Sequence, residues 1–269
     1  MQVRDHFLSH ETFTLKPGSF PGMLRTTPVP NRDVIGNYYT SEKYFSHTDS
    51  GGGIVGQLYR WVRNYQLAQK IRRLTKGTRG DARFLDIGTG TGALVHRLHA
   101  LGKDAWGVEP FAKAEHSNIV DSLDKVTGTF DVISLFHVLE HDHNPADLLK
   151  KVKALSAPGA RIHIAVPNHA SADARHYKKN WGGYDVPRHL SHWSRSSLER
   201  YVSHFGFTLQ SSKPMWFDAP YVCYLSETYT GRSKAVAFLI GMLIGSWSNI
   251  RAVFTGQTSS RTYIFHFEP

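Results

Sequence analysis

The chain has 269 residues, 41% of them hydrophobic and 20% charged, so it can bury the core of one globular domain with an elaboration. A single cysteine, Cys223, excludes a disulfide framework and a cysteine-based zinc site, and it fits a reducing compartment. The net charge of +10 attracts anionic partners, but no block of consecutive Lys or Arg marks a nucleic-acid-binding arm, and we expect no nucleic-acid partner.

Residues 1–53 predict a cap segment in front of the main domain. They are rich in Pro, Gly, Thr and Ser, have turn signals at 16–18 and 20–22, and contain an alternating run at 12–15 that is typical of a small β element. They contain no cysteine, so we predict no zinc ribbon there. The first residues form no apolar signal-peptide core, and we expect a cytoplasmic protein that at most touches the inner face of a membrane.

Residues 54–269 predict an α/β domain. A glycine triplet precedes a helix whose apolar residues recur at three- and four-residue spacing over 54–71. Apolar strand segments then alternate with amphipathic helices, which is the pattern of a doubly wound, mostly parallel, Rossmann-like sheet. We predict strands at 84–87, 105–108, 118–120, 131–136, 160–166 and 260–267, and helices at 93–101, 145–155 and 194–205.

The most informative stretch is RFLDIGTGTG at 83–92, which is followed about 20 residues later by a second apolar run that ends in an acid. Glycines in such a loop let the backbone turn sharply and approach a ligand with no Cβ in the way. An acid at the tip of the next strand can accept hydrogen bonds from both hydroxyls of a ribose. The spacing therefore predicts a nucleoside site that consists of Asp86, Gly88, Thr89, Gly90, Gly92 and Glu109.

Two nucleoside cofactors fit this spacing, and Asp86 distinguishes them. Gly88, Gly90 and Ala93 also match the dinucleotide pattern, so an NAD-dependent oxidoreductase is an alternative. Asp86 lies just before the first glycine, where its charge would oppose a pyrophosphate. S-adenosylmethionine (SAM) has no phosphate and carries an ammonium and a sulfonium, both of which a nearby acid favours. The residues therefore favour SAM, and a purely structural glycine turn is the third interpretation.

Successive motifs resemble those of one enzyme family. FLDIGTGTG, WGVEP, FDVISLFHVLEH, LSAPGARIHIAVPN and GYDVPRHLSHWSRSSLERYVSHFGF are similar to the motifs of class I SAM-dependent methyltransferases. The similarity is greatest to the group that includes the ubiquinone-biosynthesis O-methyltransferases and bacterial enzymes of glycan and lipid pathways. It is dense over 83–207 and implies a seven-stranded sheet, SAM as cofactor and S-adenosylhomocysteine (SAH) as product. It says little about the methyl acceptor.

The resemblance implies further contacts to the cofactor. An acid after the third strand approaches the adenine. Because the link from Glu109 to the fourth strand is short here, both Asp121 and Asp124 are candidates, and we favour Asp121. An aromatic segment that includes Tyr38 and Tyr44 closes over the cofactor. A non-catalytic protein of the same fold that binds RNA is the other alternative to an enzyme.

A first histidine group follows the fourth strand. Ligands of open parallel sheets bind at the carboxyl ends of the strands, so we expect His137 near the methyl-bearing end of SAM. His137, His141 and His143 are also conceivable metal ligands. Their spacing is not the H-E-x-x-H zinc signature, and we predict no metal.

A second histidine group follows the fifth strand, where the acceptor should enter. The resemblance places Asp185 and His189 in the acceptor-side motif of the family. We predict His189 as the base or the acceptor-orienting group, with His192 as the next candidate. In the alternative interpretation, Asp185 and His189 only pin this loop through hydrogen bonds.

An insertion at 213–258 precedes the last strand. Residues 235–247 are apolar or small throughout, a run shorter than the roughly 20 residues that a membrane-spanning helix needs. Basic residues flank the run, so 232–251 is a candidate helix in the plane of a membrane surface. The other interpretation, which we favour because such runs are usually core, is a buried hairpin over the active site. Whether the insertion is a lid over the active site or a membrane-docking element, we expect O-methylation of a small-molecule, glycan or lipid-linked acceptor.

Overall fold

The computed structural model describes residues 1–39, 54–110 and 117–268, and a seven-stranded sheet lies at its centre. The strands of both sheets are β1 (Gln2–Arg4), β2 (Thr12–Pro17), β3 (Leu24–Thr27), β4 (Arg83–Ile87), β5 (Asp104–Val108), β6 (Ile119–Val120), β7 (Phe130–Phe136), β8 (Ser156–Pro167), β9 (Ser191–His192), β10 (Phe207–Pro214) and β11 (Ser260–Phe267). The central order is β10-β11-β8-β7-β4-β5-β6. The strands from β8 to β6 pair in parallel, whereas β10 and β11 are antiparallel to their neighbours. The predicted Rossmann-like, mostly parallel sheet is confirmed.

Helices pack on both faces of this sheet. They are α1 (Arg32–Ile35), α2 (Ile54–Thr75), α3 (Ala93–Ala100), α4 (Pro145–Ala154), α5 (Ala172–Tyr177), α6 (Arg195–His204), α7 (Asp218–Tyr229) and α8 (Lys234–Thr255). Successive side chains of a strand point to opposite faces. Phe84 of β4 therefore packs with α2 and α3, whereas its neighbour Leu85 packs with α4 and α6. The predicted cap of α6 is present as a capping box, in which Ser194 and Ser197 satisfy each other's backbone N–H groups.

A smaller sheet, with the order β1-β2-β3-β9 within the described ranges, joins the N-terminal segment to the main domain. Its last strand comes from the predicted acceptor-side loop. Next to it, the buried guanidinium of Arg188 forms ion pairs with Asp5 at 3.0 Å and with Asp185 at 2.6 Å. The N-terminal segment is therefore fixed onto the acceptor-side loop, and the domain boundary at residue 53 stays a prediction.

The insertion forms a helical hairpin of α7 and α8. Gly241 and Gly245 of α8 lie so close to α7 that an added Cβ would be 2.6 Å from the backbone of Tyr224 and 2.5 Å from that of Pro220. The face of α8 that is buried against the protein consists of small residues, namely Ala237, Gly241, Gly245, Ser248 and Ala252. A hairpin is therefore present, but the large apolar residues of α8 lie on its exposed face rather than in the core.

The helix α8 is also longer than the apolar run at 235–247 predicts. It has 22 residues, because apolar residues continue the helix beyond 247 on both sides of Arg251. In the described part of the chain it is the one helix that is long and apolar enough to cross a membrane, by length and composition, and 28% of its apolar window is buried.

Candidate active site

The loop between β4 and α3 has a backbone that requires glycine. Gly88 has a φ of +72°, and an added Cβ there would lie 2.4 Å from the side chain of Val138. The N–H groups of Gly88 and Thr89 both donate to the carbonyl of Val108, which ties the loop to the next strand. Among the described residues, Thr89 Oγ1 is buried without a hydrogen-bond partner. The loop thus presents backbone and an unsatisfied hydroxyl at the carboxyl ends of β4 and β5.

Glu109 reaches this loop from the end of β5. Its Oε2 accepts a hydrogen bond of 2.8 Å from the N–H of Gly90. Gly90 has a φ of +54°, and no described atom lies within 4 Å of an added Cβ there, so the backbone at Gly90 faces open space. Gly92, with a φ of +72°, is the N-cap of α3. The predicted residues from 88 to 109 are therefore brought together around one cleft.

Asp86 is buried beneath this loop. It accepts a hydrogen bond of 2.6 Å from Ser134 Oγ of β7. Burial raises the pKa of Asp86 to about 7, although the Ser134 hydrogen bond and the charge of Lys70 act in the opposite direction. A carboxyl group with a raised pKa is stabilised as the carboxylate by an added cation, which suits the ammonium end of SAM and opposes a pyrophosphate.

Of the two acids near the predicted adenine position, Asp121 directly follows β6, the strand that pairs with β5. Asp121 is exposed and pairs with Lys125 at 2.9 Å. Asp124 instead pairs with Lys151 at 2.7 Å, and the hydrogen bond and charge of that lysine lower its pKa. The structure therefore places Asp121 at the edge of the sheet where Glu109 also lies, and its contact with adenine stays a prediction.

The predicted aromatic segment is only partly within the described residues. Tyr38 packs in the small sheet, where its hydroxyl donates to Glu11 at 2.6 Å and its ring contacts Phe13. Its neighbour Tyr39 reaches the main domain, with its hydroxyl 2.9 Å from His141 Nδ1. Tyr44 lies outside the described residues. The contacts of Tyr38 are those of a residue of the small sheet, and closure over the cofactor stays a prediction.

His137 lies at the carboxyl end of β7, as the sequence predicts, in a left-handed conformation with a φ of +58°. Its Nδ1 is 3.2 Å from Glu140 Oε1, and its Nε2 is 3.6 Å from Asp218 Oδ2. Burial lowers the pKa of His137, but the hydrogen bond to Glu140 and the charges of Glu140 and Asp218 outweigh it, so the net shift raises the pKa. The side chain remains about one third exposed, at 34%, so a ligand can reach it.

Asp218, Glu140 and Lys70 are functional candidates that the sequence did not reveal. Asp218 begins α7, is mostly buried, and accepts a 3.4 Å hydrogen bond from Gln66 of α2. Burial raises the pKa of Asp218 and lowers that of Lys70, whose charge attracts both Asp86 and Asp218. Only the fold joins these residues, because they lie up to 148 positions apart in a chain with no local motif around Asp218.

In the second histidine group, the side chains form hydrogen bonds with neighbouring residues of the chain. Asp185 accepts from the guanidinium of Arg188 at 2.6 and 3.0 Å. His189 Nδ1 is 2.9 Å from the carbonyl of Gly183. His192 Nε2 is 2.9 Å from Thr26 Oγ1 of the small sheet. Burial and the charge of His189 hold the pKa of His192 well below its usual value. These contacts favour the loop-pinning interpretation, and catalytic roles for Asp185, His189 and His192 stay predictions.

One cluster links the two groups. Glu140, His141 and His189 offer ligand atoms that all lie within 4.8 Å of one another. Glu140 Oε1 already accepts from His137, and His141 Nδ1 is 3.0 Å from the carbonyl of Arg188. The sequence predicts no metal here, and that remains a prediction.

Comparisons with known proteins agree with this geometry. A family model described as "Methyltransferase domain" matches residues 59–212, more than half of the chain. The ubiquinone biosynthesis O-methyltransferase of Colwellia psychrerythraea is 29% identical over 105 residues, which cover 33% of this chain and 43% of that protein. The chain thus matches less than half the length of this curated relative.

Solved methyltransferase structures share the fold. The magnesium protoporphyrin IX methyltransferase of Synechocystis, with bound SAH, aligns with a TM-score of 0.55 and 12% identity. The alignment covers 88% of this chain and 100% of the Synechocystis chain. The 1,6-didemethyltoxoflavin-N1-methyltransferase of Burkholderia thailandensis, also with SAH, has a TM-score of 0.54 and 13% identity, with 99% of this chain and 100% of its own covered.

The residues around the cleft fit SAM: a cradle at Gly88 that a Cβ would fill, a carboxylate at Glu109 for ribose hydroxyls, and a buried acid at Asp86 for a cation. The alternative of an NAD-dependent oxidoreductase is wrong, because the matching family is one of methyltransferases. The chain therefore belongs to the methyltransferase-domain family, as a class I SAM-dependent methyltransferase.

Proposed function

We propose that this enzyme O-methylates a lipid-linked acceptor while its helical hairpin lies in a membrane surface. The observation that carries the proposal is the outward apolar face of α8. Of the three acceptor classes that the sequence leaves open, a lipid-linked molecule is the one that such a face would bring to the enzyme. The enzyme would then be cytoplasmic and peripheral to the inner face of the membrane.

The outward face of α8 is unusually apolar for a surface. Leu239, Leu243 and Ile250 are 64%, 71% and 63% exposed, and Phe254 is 85% exposed. Soluble monomers rarely expose contiguous apolar patches of more than a few hundred Å², and larger ones mark binding surfaces. Because the small residues of α8 already pack on α7, this face has no partner among the described residues.

The charges around α8 suit an anionic lipid surface. Lys234 begins the helix, and Arg232, which forms an ion pair with Glu227, precedes it. At the other end the guanidinium of Arg251 lies 5.4 Å from the ring centre of Trp247, an arrangement suited to the headgroup level. The net charge of +10 adds a longer-range attraction to anionic headgroups.

The connections of the hairpin favour a helix in the membrane plane over one that spans. The chain leaves the central sheet at Pro214 and returns at Ser260, and Pro214 is paired with Arg261, the second residue of β11. A spanning α8 would therefore require α7 to cross as well. The helix α7 has 12 residues, includes the mostly buried Asp218 and the buried Glu227, and is too short for a bilayer core of about 30 Å.

Exposed aromatic residues lie between α8 and α2. Asn249 of α8 donates to the carbonyl of Trp216, which is exposed next to Phe217. The ring of Phe217 lies 5.7 Å from that of Tyr65, which stacks on Trp61 at 5.7 Å. Phe217 directly precedes Asp218, whose carboxylate lies 3.6 Å from His137 Nε2. The exposed aromatic residues would guide the apolar portion of an acceptor from the membrane towards His137.

The chemistry requires little beyond alignment and a place for one proton. When bound, SAM supplies a methyl group on a sulfonium that is already a strong electrophile. A hydroxyl acceptor must lose its proton, and a histidine with one nitrogen held by a carboxylate is a suitable base. His137 has that arrangement through Glu140. The Colwellia relative is an O-methyltransferase by name, which supports oxygen as the acceptor atom.

Vesicle co-sedimentation tests the membrane part of the proposal. We expect the protein to pellet with phosphatidylglycerol vesicles, and the double substitution Leu239→Ser, Leu243→Ser to weaken binding at least tenfold, since each buried leucine contributes about 1.5–3 kcal/mol. Leu101→Ser is the matched control, because Leu101 is an equally exposed leucine, at 57%, outside the hairpin. Equal binding by the double variant and the wild type would overturn the proposal.

A label-transfer assay tests the acceptor. Methyl-tritiated SAM is incubated with the enzyme and with separate lipid and aqueous extracts of bacterial cells. We expect tritium in the organic phase of the lipid reaction, in a base-stable form as required for an ether. Label found only in the aqueous extract would instead identify a soluble acceptor.

A further inference from the structure

We infer that Asp218, the first residue of the hairpin, is a positioning residue for His137 in methyl transfer. Its carboxylate faces Nε2 of the ring and balances the charge that the ring gains when it takes the proton of the acceptor. This inference rests on the proposed O-methylation, which is the step that releases a proton.

The geometry places one carboxylate at each nitrogen of His137. Glu140, buried in the loop after β7, lies 3.2 Å from Nδ1, where it favours the tautomer with a proton on that nitrogen. Nε2 is then a lone-pair acceptor. Asp218 lies 3.6 Å from Nε2, beyond hydrogen-bond length, so it leaves Nε2 able to accept from a hydroxyl.

The proton and electron balance follows from this arrangement. The O–H bond of the acceptor breaks and the proton moves to Nε2 of His137. The oxygen electron pair forms the new O–C bond to the methyl group, and the C–S bond breaks with its electron pair kept by sulfur, which leaves SAH. The ring now has a proton on both nitrogens, and each N–H faces a carboxylate, Glu140 on one side and Asp218 on the other.

The surroundings of Asp218 argue for a role beyond helix stabilisation. An acid in the first turn of a helix interacts favourably with the helix dipole even when it is exposed. Asp218 is instead mostly buried, accepts hydrogen bonds from Gln66 of α2 and from the Ser260 side chain of β11, and lies 3.6 Å from His137 Nε2. Burying a carboxylate is unfavourable, and a dipole interaction does not require it. The hydrogen bonds to α2 and β11 give the burial of Asp218 a structural reason, but they do not account for its approach to His137.

Three charged groups face the ring from different elements: Glu140 from its own loop, Asp218 from α7 and Lys70 from α2. The two acids stabilise the protonated ring and the lysine opposes it. Through Asp218, the helical hairpin supplies part of the active site. The hairpin that we propose to lie in the membrane surface therefore also affects how readily His137 takes a proton.

The first test is NMR titration of His137 in the SAH complex, which needs no acceptor. The 13Cε1 resonance, assigned with His137→Gln, is followed with pH in the wild type, in Asp218→Asn and in the matched control Asp147→Asn, an exposed acid on α4. We expect the titration midpoint to move to lower pH in Asp218→Asn alone, because the negative charge that favours the protonated ring is lost. An unchanged midpoint in Asp218→Asn would overturn the inference.

The wild type provides a second measurement that does not depend on a variant folding. If the two groups interact, the 13Cγ resonance of Asp218 and the 13Cε1 resonance of His137 share a titration step. Independent steps would contradict the inference. Neither result depends on vesicle binding or on the acceptor class, so failure of the proposed function is distinguishable from failure of this pair.

Once an acceptor is available, the pH profile separates positioning from a structural role. We expect Asp218→Asn to lower kcat about tenfold, which is less than the roughly 10²–10⁴-fold loss of the base itself because Asp218 acts through His137, and to move the acidic limb of the profile to lower pH. SAH affinity should be unchanged, and Asp218→Glu should restore part of the rate. A lower rate with an unmoved acidic limb would show a structural role only.

Discussion

The two histidine groups use the same residue type in opposite ways. His137 is partly exposed, contacts two carboxylates, and has a raised pKa. His192 is buried, bonds to a threonine of the small sheet, and has a pKa held far below its usual value by burial. We therefore expect the first ring to exchange a proton with a ligand and the second to stay neutral. The difference depends on whether carboxylates lie beside the ring and on whether a ligand can reach it, and neither can be read from the local sequence.

The largest effect is expected at His137. We expect His137→Gln to lower kcat by about 10²–10⁴-fold, the usual range for loss of a general base, with SAH affinity unchanged. His192→Gln should retain a rate within a few-fold of the wild type at equal folded fraction, because glutamine can keep the hydrogen bond to Thr26. Initial rates and SAH titration measure both. An equal fractional loss of kcat in His137→Gln and His192→Gln would show that the two histidine groups do not differ in this way.

A large effect on stability is expected in the other loop. Arg188→Met leaves the buried Asp5 and the mostly buried Asp185 without their cation, which we expect to lower the free energy of unfolding by about 3–5 kcal/mol. Arg79→Met is the matched control, since Arg79 pairs with Asp131 on the surface and such pairs contribute about 0–1 kcal/mol. Urea unfolding measures both. A similar loss in the two variants would show that the Arg188 network does not hold the loop.

The parts that could be predicted from the sequence are those with a local physical cause. The glycines at 88 and 90 have positive φ, and the spacing to Glu109 follows from one strand–helix–strand unit, so the cofactor cleft was accessible from residues 83–109 alone. The order of alternating elements likewise predicts the parallel part of the sheet. The sequence does not predict the remaining strand of the central sheet, β10, because most of its side chains are exposed or only partly buried and form no apolar pattern.

The parts that could not be predicted depend on contacts between distant segments. Asp218 and His137 are 81 positions apart, and only the return of the chain through β10 brings the hairpin to the end of β7. The insertion shows a second limit, since an apolar run does not say which of its faces is buried. Here glycines, not leucines, face the protein, because α7 and α8 pack closely at Gly241 and Gly245.

The smallest effect is the dependence of stability on pH, where the two histidine groups should have opposite signs. Burial and the charge of His189 lower the pKa of His141 to about 4, and burial lowers that of His192, against 6.5 for an ordinary histidine. The unfolded chain then binds more protons below pH 6.5, so these rings contribute stability that is present above pH 6.5 and is lost as the pH falls towards 4. His137 has a raised pKa, and its contribution is present below pH 6.5 and is lost as the pH rises through that raised value.

Urea unfolding between pH 7.5 and 5 separates these contributions, since that window lies above the range in which most carboxyl groups titrate. Asp86, with a pKa raised to about 7, is an exception, but it is present in all three proteins compared and so does not change the order of their slopes. We expect the wild type to lose stability as the pH falls, His192→Gln to lose less because its buried group cannot be protonated, and His137→Gln to lose more because it lacks the opposing contribution. The order of the three slopes is the test. If His192→Gln has the same slope as the wild type, the ring of His192 is not held neutral in the folded protein. The proposed difference between the two histidine groups would then be wrong for the second group.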